Sequence, residues 1–346
     1  MKKNTITDVA KLAGVSIKTV SRVLNQEPNV RPATREKVAG AIKQLDYRPS
    51  TSARSLAGNR SFLLGLLYDN PSASYVTKIQ NGVLRTCRAQ HYDLLIHPCD
   101  YKNPGLENEI EDHLRNARLD GLILTPPLTD RQDLLDFLDE RETPYVLVSP
   151  SSNSKFRWAV GTNDRTVCSQ MMQYLCGLGH ERIAFILGHP DHSALANRFN
   201  GYQDGLKDCG LPMRKSLCVQ GFNSFESGVD CARKLLSRKN PPTAIFACND
   251  DMAAGAIKAA HELGLSVPGK LSVAGFDDIP LASQIWPSLT TVRQPMQRLG
   301  ELAAALLIRR FRGQSPEEVS RVIDSELVER DSTGPAPGKE ARQARI

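Results

Sequence analysis

The sequence predicts two kinds of structure in series: an all-α head of three short helices, then an α/β body of two doubly wound parallel-sheet lobes. Apolar residues in the first 45 positions recur at helical spacing. After Phe62, near-continuous apolar runs alternate with helix-like segments, which is typical of buried parallel strands joined by helices. At 346 residues the chain is also too long for one ordinary core, so two or three domains are expected.

The head opens with a predicted helix–turn–helix over residues 6–25. Thr5 is expected to cap the first helix, and Gly14 ends it, because glycine tolerates the positive φ of a helix terminus. Ser16 is expected to cap the second helix. A helix–turn–helix presents its second helix to the DNA major groove, so the pattern predicts a DNA-binding head. A generic pair of surface helices is the alternative interpretation, because short matches of this kind arise by chance.

The second helix leaves Ile17, Lys18, Ser21 and Arg22 pointing outward. Lysine or arginine can bond guanine O6 and N7, and isoleucine can pack on a thymine methyl group. We therefore expect Ile17, Lys18 and Arg22 to read bases, although Lys18 alone is also compatible with an ordinary exposed lysine. The candidate DNA contacts in the head also include Thr5, Ser16, Thr19, Ser21, Asn25, Arg31 and Tyr47.

The positive charge of the chain is concentrated in the head. Residues 1–60 contain twelve Lys and Arg against four Asp and Glu, a net charge of +8, whereas the whole chain carries +6 and the remainder therefore −2. A compact cationic head on a near-neutral body indicates a polyanionic partner for the head alone. A merely solvated basic surface is the alternative, which the helix–turn–helix disfavours.

The sequence argues against a membrane protein, a secreted protein and an enzyme. It has no stretch of about 18 apolar residues and no apolar core of a signal peptide, so we expect a cytoplasmic protein. The eight cysteines form no C-x-x-C pair, which in a reducing compartment predicts free thiols. His189 and His192 lack an obvious third ligand, so no metal site and no cofactor are predicted. No G-x-G-x-x-G, P-loop or G-x-S-x-G motif occurs, so no enzyme activity is expected.

The body contains two similar runs of predicted strands. The first run is FLLGLLY, YDLLIHP, GLILTP and YVLVSP, and the second is WAVGTND, RIAFILGH, SLCVQGF, TAIFACND and SVAGFDD. Two similar halves in series predict two lobes with a cleft between them. In open α/β sheets, ligands bind beyond the carboxyl ends of the strands.

Polar side chains and one aromatic ring follow these strand ends. They are Asp69, Asn70, Ser72, Thr125, Ser149, Asn163, Asp164, His189, Phe222, Asn223, Asn249, Asp250, Asp277 and Asp278. Asp and Asn can take paired hydrogen bonds from adjacent hydroxyls, and Phe can stack on a ring face, so this set suits a hydroxylated small molecule. The alternative is that Asp and Asn cap the following helices, as we expect for Asp250.

Longer motifs link the head to the body. The head contains TDVAKLAGVS, TVSRVLN, TREKV, LDYRPS and ARSLAGNRS, and the body contains HERIAFILG (180–188), CNDDMAAGA (248–256), SVAGFDDIPLASQIWPSLTTVRQP (272–295) and LVERDST (327–333). With these motifs the chain resembles the lactose-repressor/galactose-repressor (LacI/GalR) family of bacterial transcription regulators over residues 4–333. The resemblance implies a periplasmic-binding-protein-like body and a repressor that binds a palindromic DNA operator as a homodimer under control of a small-molecule effector.

The resemblance also assigns roles around the segment that follows the head. It implies that residues 50–57 form a hinge helix only when two subunits sit side by side on the operator. Leu56 would wedge into the minor groove at the central base step, Ala53 would form the helix–helix contact, and Arg54 would sit near phosphates. One departure is Arg31, which stands where the family usually has a small capping residue.

In the body, the resemblance implies that Arg198, Asn249 and Asp277 hold the effector and that Phe222 stacks on it. Asp69 and the loop to Tyr75 would form the opposite wall, which makes Ser72 a candidate effector residue. Thr125 is a further candidate because it follows a predicted strand. That loop, DNPSASY, lacks the paired aromatic residues of many relatives, which leaves the effector's identity open. A sugar or sugar derivative is expected, and a nucleobase or nucleoside is the alternative.

We predict a DNA-binding domain over 1–49, a hinge helix and linker over 50–60, and an effector-binding and dimerisation domain over 61–333. Its N-lobe is placed at about 61–160 plus 291–320 and its C-lobe at about 161–290 plus 321–333. Residues 334–346 are rich in Pro, Gly and charge, which predicts a disordered tail. They contain no leucine heptads, which favours a dimer over a tetramer. A solute-binding protein without a DNA role is a further alternative, which the basic head disfavours.

Overall fold

The computed structural model describes residues 4–24, 29–47, 60–151, 157–192, 195–316 and 321–338. The chain forms two compact units, Met1–Phe62 and Leu63–Ile346. Four candidate DNA contacts, Asn25, Ala53, Arg54 and Leu56, lie outside the described residues. The predicted hinge helix also lies outside them, and of the predicted hinge and linker over 50–60 only Arg60 is described. Within the described ranges, no helix is long and apolar enough to cross a membrane.

The first unit contains the three predicted helices, α1 (Ile6–Ala13), α2 (Ile17–Leu24) and α3 (Pro32–Gln44). Gly14 ends α1 with a φ of 65°, as its sequence position predicts. The small core of this unit consists of Val9, Ala10, Val20, Val38, Ala41 and Tyr47. An all-α head with a helix–turn–helix is therefore confirmed.

The helix starts in the head follow the sequence. The Asp8 carboxylate accepts hydrogen bonds from the Thr5 N–H over 2.8 Å and from the Thr5 hydroxyl over 2.7 Å, which secures the first turn of α1. The Ser16 hydroxyl accepts the N–H of Thr19 over 3.2 Å at the start of α2. Arg31 precedes α3 without a side-chain cap, and Pro32 begins the helix instead.

The N-lobe of the body is built on a parallel six-stranded sheet. Its strands are β1 (Leu63–Tyr68), β2 (Asp93–Pro98), β3 (Gly121–Leu124), β4 (Tyr145–Val148), β5 (Ala159–Thr162) and β11 (Val322–Ile323), in the order β11-β5-β4-β3-β1-β2. Its helices are α4 (Ala73–Gln90), α5 (Leu106–Asn116), α6 (Gln132–Glu140) and α12 (Met296–Phe311). Strand β2 is thus an edge strand of this sheet.

Two glycines let α4 and α12 pack closely. A Cβ atom on Gly82 would lie 1.9 Å from the carbonyl oxygen of Gln297, and one on Gly300 would lie 2.2 Å from that of Ile79. Both obstructing atoms belong to backbone and have little room to move. These positions therefore require glycine for the approach of the two helices rather than for an unusual φ.

The C-lobe contains a parallel four-stranded sheet. Its strands are β6 (Ile183–Leu187), β7 (Cys218–Gln220), β8 (Ala244–Ala247) and β9 (Ser272–Ala274), in the order β7-β6-β8-β9. Its helices are α7 (Asp164–Gly177), α8 (Ala196–Asp208), α9 (Phe225–Leu236), α10 (Asp250–Glu262) and α11 (Pro280–Gln284). Phe185, Tyr202, Phe246 and Phe276 are the largest fully buried side chains of its core.

The chain passes between the lobes near residues 163, 294 and 324, and β10 (Thr291–Arg293) pairs antiparallel with β12 (Glu326–Val328) at two of these crossings. Strand β11 pairs with β5 and so belongs to the N-lobe sheet. The predicted assignment of residues 321–333 to the C-lobe is therefore wrong for Val322 and Ile323. The reason is that a two-residue strand carries too weak a pattern to place from sequence.

The predicted disordered tail begins too early. Ala336 is 5% exposed and its N–H donates to the carbonyl of Leu178 over 2.9 Å. The Gly334 carbonyl accepts a hydrogen bond from the buried His180 over 3.0 Å. Hydrogen bonds at Gly334 and Ala336 thus tie the start of the predicted tail to the body, although its composition is typical of disorder.

Candidate functional site

A cleft lies between the two lobes, at the carboxyl ends of the strands of both sheets. It is lined by Asn70, Ser72, Tyr75, Pro126, Ser149, Asp164, His192, Leu195, Arg198, Asn223, Asn249, Asp277 and Gln294. About 60 Å³ of the cleft is accessible to water-sized groups, and its total empty space, part of it open to solvent, is about 580 Å³. The cleft is therefore lined mainly by polar residues and is partly open to solvent.

Arg198 on α8 organises the C-lobe side of the cleft. Its Nε donates to Asp164 over 3.0 Å, its Nη2 lies 3.4 Å from Asp277 Oδ1, and its Nη1 donates to the carbonyl of Cys248. The guanidinium also stacks on Phe276, with 3.7 Å between Cζ and the ring centroid. Burial lowers the pKa of Arg198, but Asp277 and Asp164 outweigh that effect, so its pKa lies above the ordinary value. The result is a permanently charged group with fixed orientation.

Asp277 sits on strained backbone that the interlobe segments hold in place. Its φ is 118° and that of Asp278 is 49°, a region that side-chain-bearing residues rarely adopt. The N–H of Asp277 donates to the carbonyl of Val292 over 2.8 Å. The Asp278 carboxylate accepts hydrogen bonds from Arg293 over 2.7 Å and from Arg330 over 2.6 Å. Residues on or beside the segments that connect the lobes therefore hold the backbone that carries the Asp277 carboxylate.

Two titratable groups in the cleft have displaced pKa values. Burial raises the pKa of Asp277 to about 6, although Arg198 and a 2.6 Å hydrogen bond from Gln294 lower it. Burial, together with the charge of His189, lowers the pKa of His192 to about 4. At neutral pH the cleft therefore holds two carboxylates against one guanidinium, beside an uncharged imidazole. This balance disfavours anionic ligands and suits a neutral ligand rich in hydroxyls.

Asn249 lines the cleft and also begins α10. Its Oδ1 accepts the N–H of Met252 over 3.0 Å, so Asn249 caps the helix, and the expectation that Asp250 does so is wrong. The Asp250 carboxylate instead accepts the N–H of Ile279 in the interior. Asn249 also donates to the carbonyl of Asn223 over 3.0 Å. Because an amide has two N–H groups and two oxygen lone pairs, each end keeps capacity for one ligand bond.

Ser72 and Tyr75 form the N-lobe wall at the start of α4. Asn70 accepts the N–H of Ser72 over 2.9 Å and so fixes the preceding turn. Tyr75 is 8% exposed, and burial, followed by the charge of Asp277, raises the pKa of its phenol above the ordinary value. The Tyr75 hydroxyl therefore remains protonated beside the C-lobe charges and is a hydrogen-bond donor at neutral pH.

Three predicted effector residues do not line the cleft. Asp69 accepts the N–H of Tyr101 over 2.9 Å and supports the loop that follows β2. Thr125 is 2% exposed, and its hydroxyl donates to the Leu67 carbonyl of β1 over 3.2 Å. Phe222 is 51% exposed and lies edge-on to His189, with 5.7 Å between ring centroids. The strand-end rule placed these residues near the cleft but gave no information on side-chain direction.

Five predicted effector residues do line the cleft: Ser72, Tyr75, Arg198, Asn249 and Asp277. Sequence reasoning missed His192, Gln294, Pro126 and Leu195 as lining residues. His192 and Leu195 lie in the segment before α8, well past the end of β6, and Gln294 lies on a crossing between the lobes. The rule that ligands bind at strand ends carries no signal for such positions.

A contact between the lobes crosses the cleft from the loop of residues 99–105, here called the bridging loop. The Tyr101 hydroxyl of the N-lobe donates to the Asp191 carboxylate of the C-lobe. The Nζ atom of Lys102 lies 3.6 Å from the same carboxylate. Since Asp69 holds the backbone of Tyr101, its position affects the cleft indirectly.

Helix α2 presents a surface suited to nucleic acid. Ile17 is 48% exposed, and Lys18 and Arg22 are exposed as well, whereas Thr19 and Ser21 are half-buried. An exposed apolar side chain can contact a thymine methyl group, and the two exposed cations can contact base edges or phosphates. This arrangement agrees with the predicted base-reading roles of Ile17, Lys18 and Arg22.

Most of the other candidate DNA contacts in the head also have a structural role in packing or helix capping. Tyr47 is 7% exposed and packs in the head core, which leaves its ring no free face for DNA. The Thr5 and Ser16 hydroxyls take part in helix starts, as described above. Arg31 is exposed beside the start of α3.

Two family profiles match the chain. Residues 5–50 match bacterial regulatory proteins of the lacI family, and residues 172–333 match the periplasmic binding protein-like domain. The transcriptional repressor PurR of Erwinia tasmaniensis is 36% identical over 342 residues, which cover 98% of this chain and 99% of that protein.

Solved structures of transcription regulators match nearly the whole chain. The lac repressor dimer bound to operator and the anti-inducer ONPF is 28% identical, with a TM-score of 0.74 over 96% of this chain and 100% of that chain. The complex of the transcriptional regulator CelR with cellobiose is 30% identical, with a TM-score of 0.72 over 95% of this chain and 100% of that chain. These matches confirm the predicted combination of a helix–turn–helix head and a periplasmic-binding-protein-like body.

Proposed function

Because the chain belongs to the lacI family of bacterial regulatory proteins, we propose that it is a repressor that binds a palindromic operator as a homodimer and responds to a carbohydrate in the interlobe cleft. Its relatives are transcription regulators, so the prediction that the chain is not an enzyme is confirmed. A cytoplasmic location accompanies this proposal because the DNA partner lies there. The observation that carries the effector part is the buried Arg198 between Asp164 and Asp277 at the cleft.

The head supports the DNA part of the proposal. It combines a net charge of +8 over residues 1–60 with an exposed Ile17, Lys18 and Arg22 on α2. Charge neutralisation of phosphates supplies sequence-independent affinity, and base-edge contacts supply specificity. A dimer with two-fold symmetry recognises two half-sites, so the operator should be palindromic. The lac repressor structure shows a dimer on its operator, and we propose the same assembly here.

The lining of the cleft favours a neutral polyol over a charged ligand. Asp164 and Asp277 are acceptors, whereas Arg198, Tyr75 and the amide groups of Asn249 are donors. Adjacent hydroxyls on a sugar ring donate and accept together and so match such a mixed set. CelR was solved with cellobiose, which supports a carbohydrate for this chain too. Phe222, the ring expected to stack on the effector, is 51% exposed and is not among the lining residues, so Tyr75 is the aromatic ring of the described cleft lining.

The structure links the cleft to the relative position of the lobes. Asp277 is held by Val292, and Asp278 by Arg293 and Arg330, all on or beside the crossing strands. An effector that binds across the cleft therefore stabilises one arrangement of the lobes over another. It changes operator affinity only by the difference between its affinities for the two arrangements. We propose that residues 50–60, including Ala53, Arg54 and Leu56, transmit this change to the DNA.

A thermal-shift screen tests the proposed effector class. Cellobiose, common monosaccharides, guanine, hypoxanthine and adenosine are each added to the wild-type protein and to Asp277→Ala. A ligand at 100 times its Kd stabilises the folded state by about 2.7 kcal/mol. A sugar that raises the melting temperature of wild type but not of Asp277→Ala supports the proposal. The matched control is Asp204→Ala, an exposed carboxylate of the same lobe that should respond like wild type.

Two results would overturn parts of the proposal. If only a nucleobase or nucleoside raises the melting temperature, the carbohydrate part of the proposal is wrong and the proposed role in transcription regulation still stands. Failure of the full-length protein to select any duplex from a random-sequence DNA pool overturns the DNA part and favours a solute-binding protein.

A further inference from the structure

Three side chains with metal-ligating atoms converge in the N-lobe, away from the cleft lining. His97 is near the end of the edge strand β2, and Glu109 and His113 are four residues apart on α5, so the latter two share one helix face. Their ligand atoms all lie within 4.8 Å of one another. His97 Nε2 is 2.5 Å from Glu109 Oε1, and the two imidazole centroids are 3.9 Å apart.

We propose that His97, Glu109 and His113 bind one divalent transition-metal ion, with Zn²⁺ as the preferred ion. Zinc bonds of about 2.0–2.2 Å in a tetrahedron place the ligand atoms about 3.4 Å apart, so small rotations of these side chains complete the site. Two imidazoles and one carboxylate are ligands of zinc and its neighbours rather than of Mg²⁺ or Ca²⁺, which prefer oxygen. Three protein ligands leave the fourth position for water or a further group.

The surroundings of the cluster agree with a metal site. The Nδ2 of Asn103 donates to the second carboxylate oxygen of Glu109 over 3.3 Å, the type of outer hydrogen bond that orients metal-ligating carboxylates. The side chains of His97 and Glu109 are 19% and 33% exposed, so they are partly desolvated yet reachable from solvent. The site was not predicted from the sequence, because β2 and α5 bring together residues that form no recognised spacing motif.

The ligands flank the bridging loop of residues 99–105. His97 precedes this loop and Glu109 follows it, and Tyr101 at its tip donates to Asp191 of the other lobe. A bound ion therefore ties the two ends of the loop together and fixes the N-lobe half of the interlobe contact. The site does not depend on the proposed effector or operator, and its test is independent of them.

Titration calorimetry of Zn²⁺ into the full-length protein, reduced and freed of metal with a chelator, tests the site. Wild type is expected to bind one ion per chain. Outer partners of metal ligands typically contribute 10–100-fold to affinity, so Asn103→Ala should weaken binding by roughly that factor, and His113→Gln or Glu109→Gln by at least about 100-fold. The control His261→Gln removes an exposed histidine of α10 and should bind as wild type does. Circular dichroism verifies that each variant is folded.

Co²⁺ substitution separates this site from the eight free cysteines. Ligation by nitrogen and oxygen gives weak visible bands without the strong near-ultraviolet band of a cobalt–thiolate bond. The proposal is overturned if the thiolate band appears at one equivalent, if His113→Gln and Glu109→Gln bind Zn²⁺ as wild type does, or if wild type binds only at millimolar concentrations. The last result would leave a simple hydrogen bond between His97 and Glu109.

Discussion

The substitution Arg198→Met tests how the cleft is held together. The Arg198 side chain is 8% exposed, and its two carboxylate partners, Asp164 and Asp277, are 13% and 9% exposed. Removing one partner of a buried ion pair costs about 3–5 kcal/mol, because the remaining charges stay buried without compensation. For a domain of 150–250 residues, 1 kcal/mol corresponds to about 2–4 °C, so the melting temperature should fall by about 6–20 °C.

Differential scanning calorimetry of Arg198→Met is compared with a matched control, Arg165→Met. Arg165 pairs with Asp204, but its side chain is 60% exposed, and exposed pairs contribute only about 0–1 kcal/mol. A second arm uses pH. Since Arg198 lowers the pKa of Asp277, its loss raises that pKa further, and the deficit should shrink from pH 7.5 to pH 5 as Asp277 is protonated. Equal melting temperatures for the two variants would refute the role given to Arg198.

The remaining predictions concern the head, the titration of the cleft and the helix packing. Arg22→Ala should weaken specific operator binding by about 1–3 kcal/mol in a gel-shift titration, and unchanged affinity would remove Arg22 from the readout. The pKa of Asp277 is raised to about 6, so its contribution to stability is present at low pH and is lost as pH rises through 6; wild type should lose roughly 2 kcal/mol relative to Asp277→Asn between pH 4 and 7.5. The pKa of His192 is lowered to about 4, so the pH dependence runs the other way: wild type should lose stability relative to His192→Gln as pH falls from 6.5 towards 4. If the melting temperatures of wild type and variant change equally with pH, for Asp277→Asn or for His192→Gln, the corresponding pKa shift is contradicted. Gly82→Ala would place a Cβ 1.9 Å from the Gln297 carbonyl oxygen and should destabilise by at least about 1–3 kcal/mol, whereas the control Gly177→Ala meets nothing within 4 Å and should not.

The fold could be predicted from sequence because its signals are local. Buried parallel strands such as Leu63–Tyr68 are almost entirely apolar. Capping residues in the sequence mark where head helices begin, as Ser16 does for α2. Strand β11 was not predicted, since two residues form no pattern and their pairing with β5 depends on the closed topology. The order of residues 334–338 was missed for the same reason, because it depends on hydrogen bonds to distant parts of the body.

The candidate site could be predicted only in part. Strand ends pointed to Asn249 and Asp277, and the resemblance pointed to Arg198. Phe222 shows the limit of that reasoning, since a residue at a strand end can still turn its side chain to solvent. His192 and Gln294 enter the cleft through the approach of the two lobes, a tertiary property that no local pattern contains.

The central claim is that ligand binding in the cleft changes the affinity of the protein for its DNA operator. Fluorescence anisotropy of a labelled operator duplex measures the Kd of wild type and Asp277→Ala with and without a saturating amount of the ligand found by the thermal-shift screen. Allosteric coupling of the usual size predicts that the ligand shifts the wild-type Kd by roughly 5–150-fold. Asp277→Ala should bind the ligand-free operator as wild type does and show no shift. A wild-type Kd that the ligand leaves unchanged, or an equal shift in Asp277→Ala, would contradict the account.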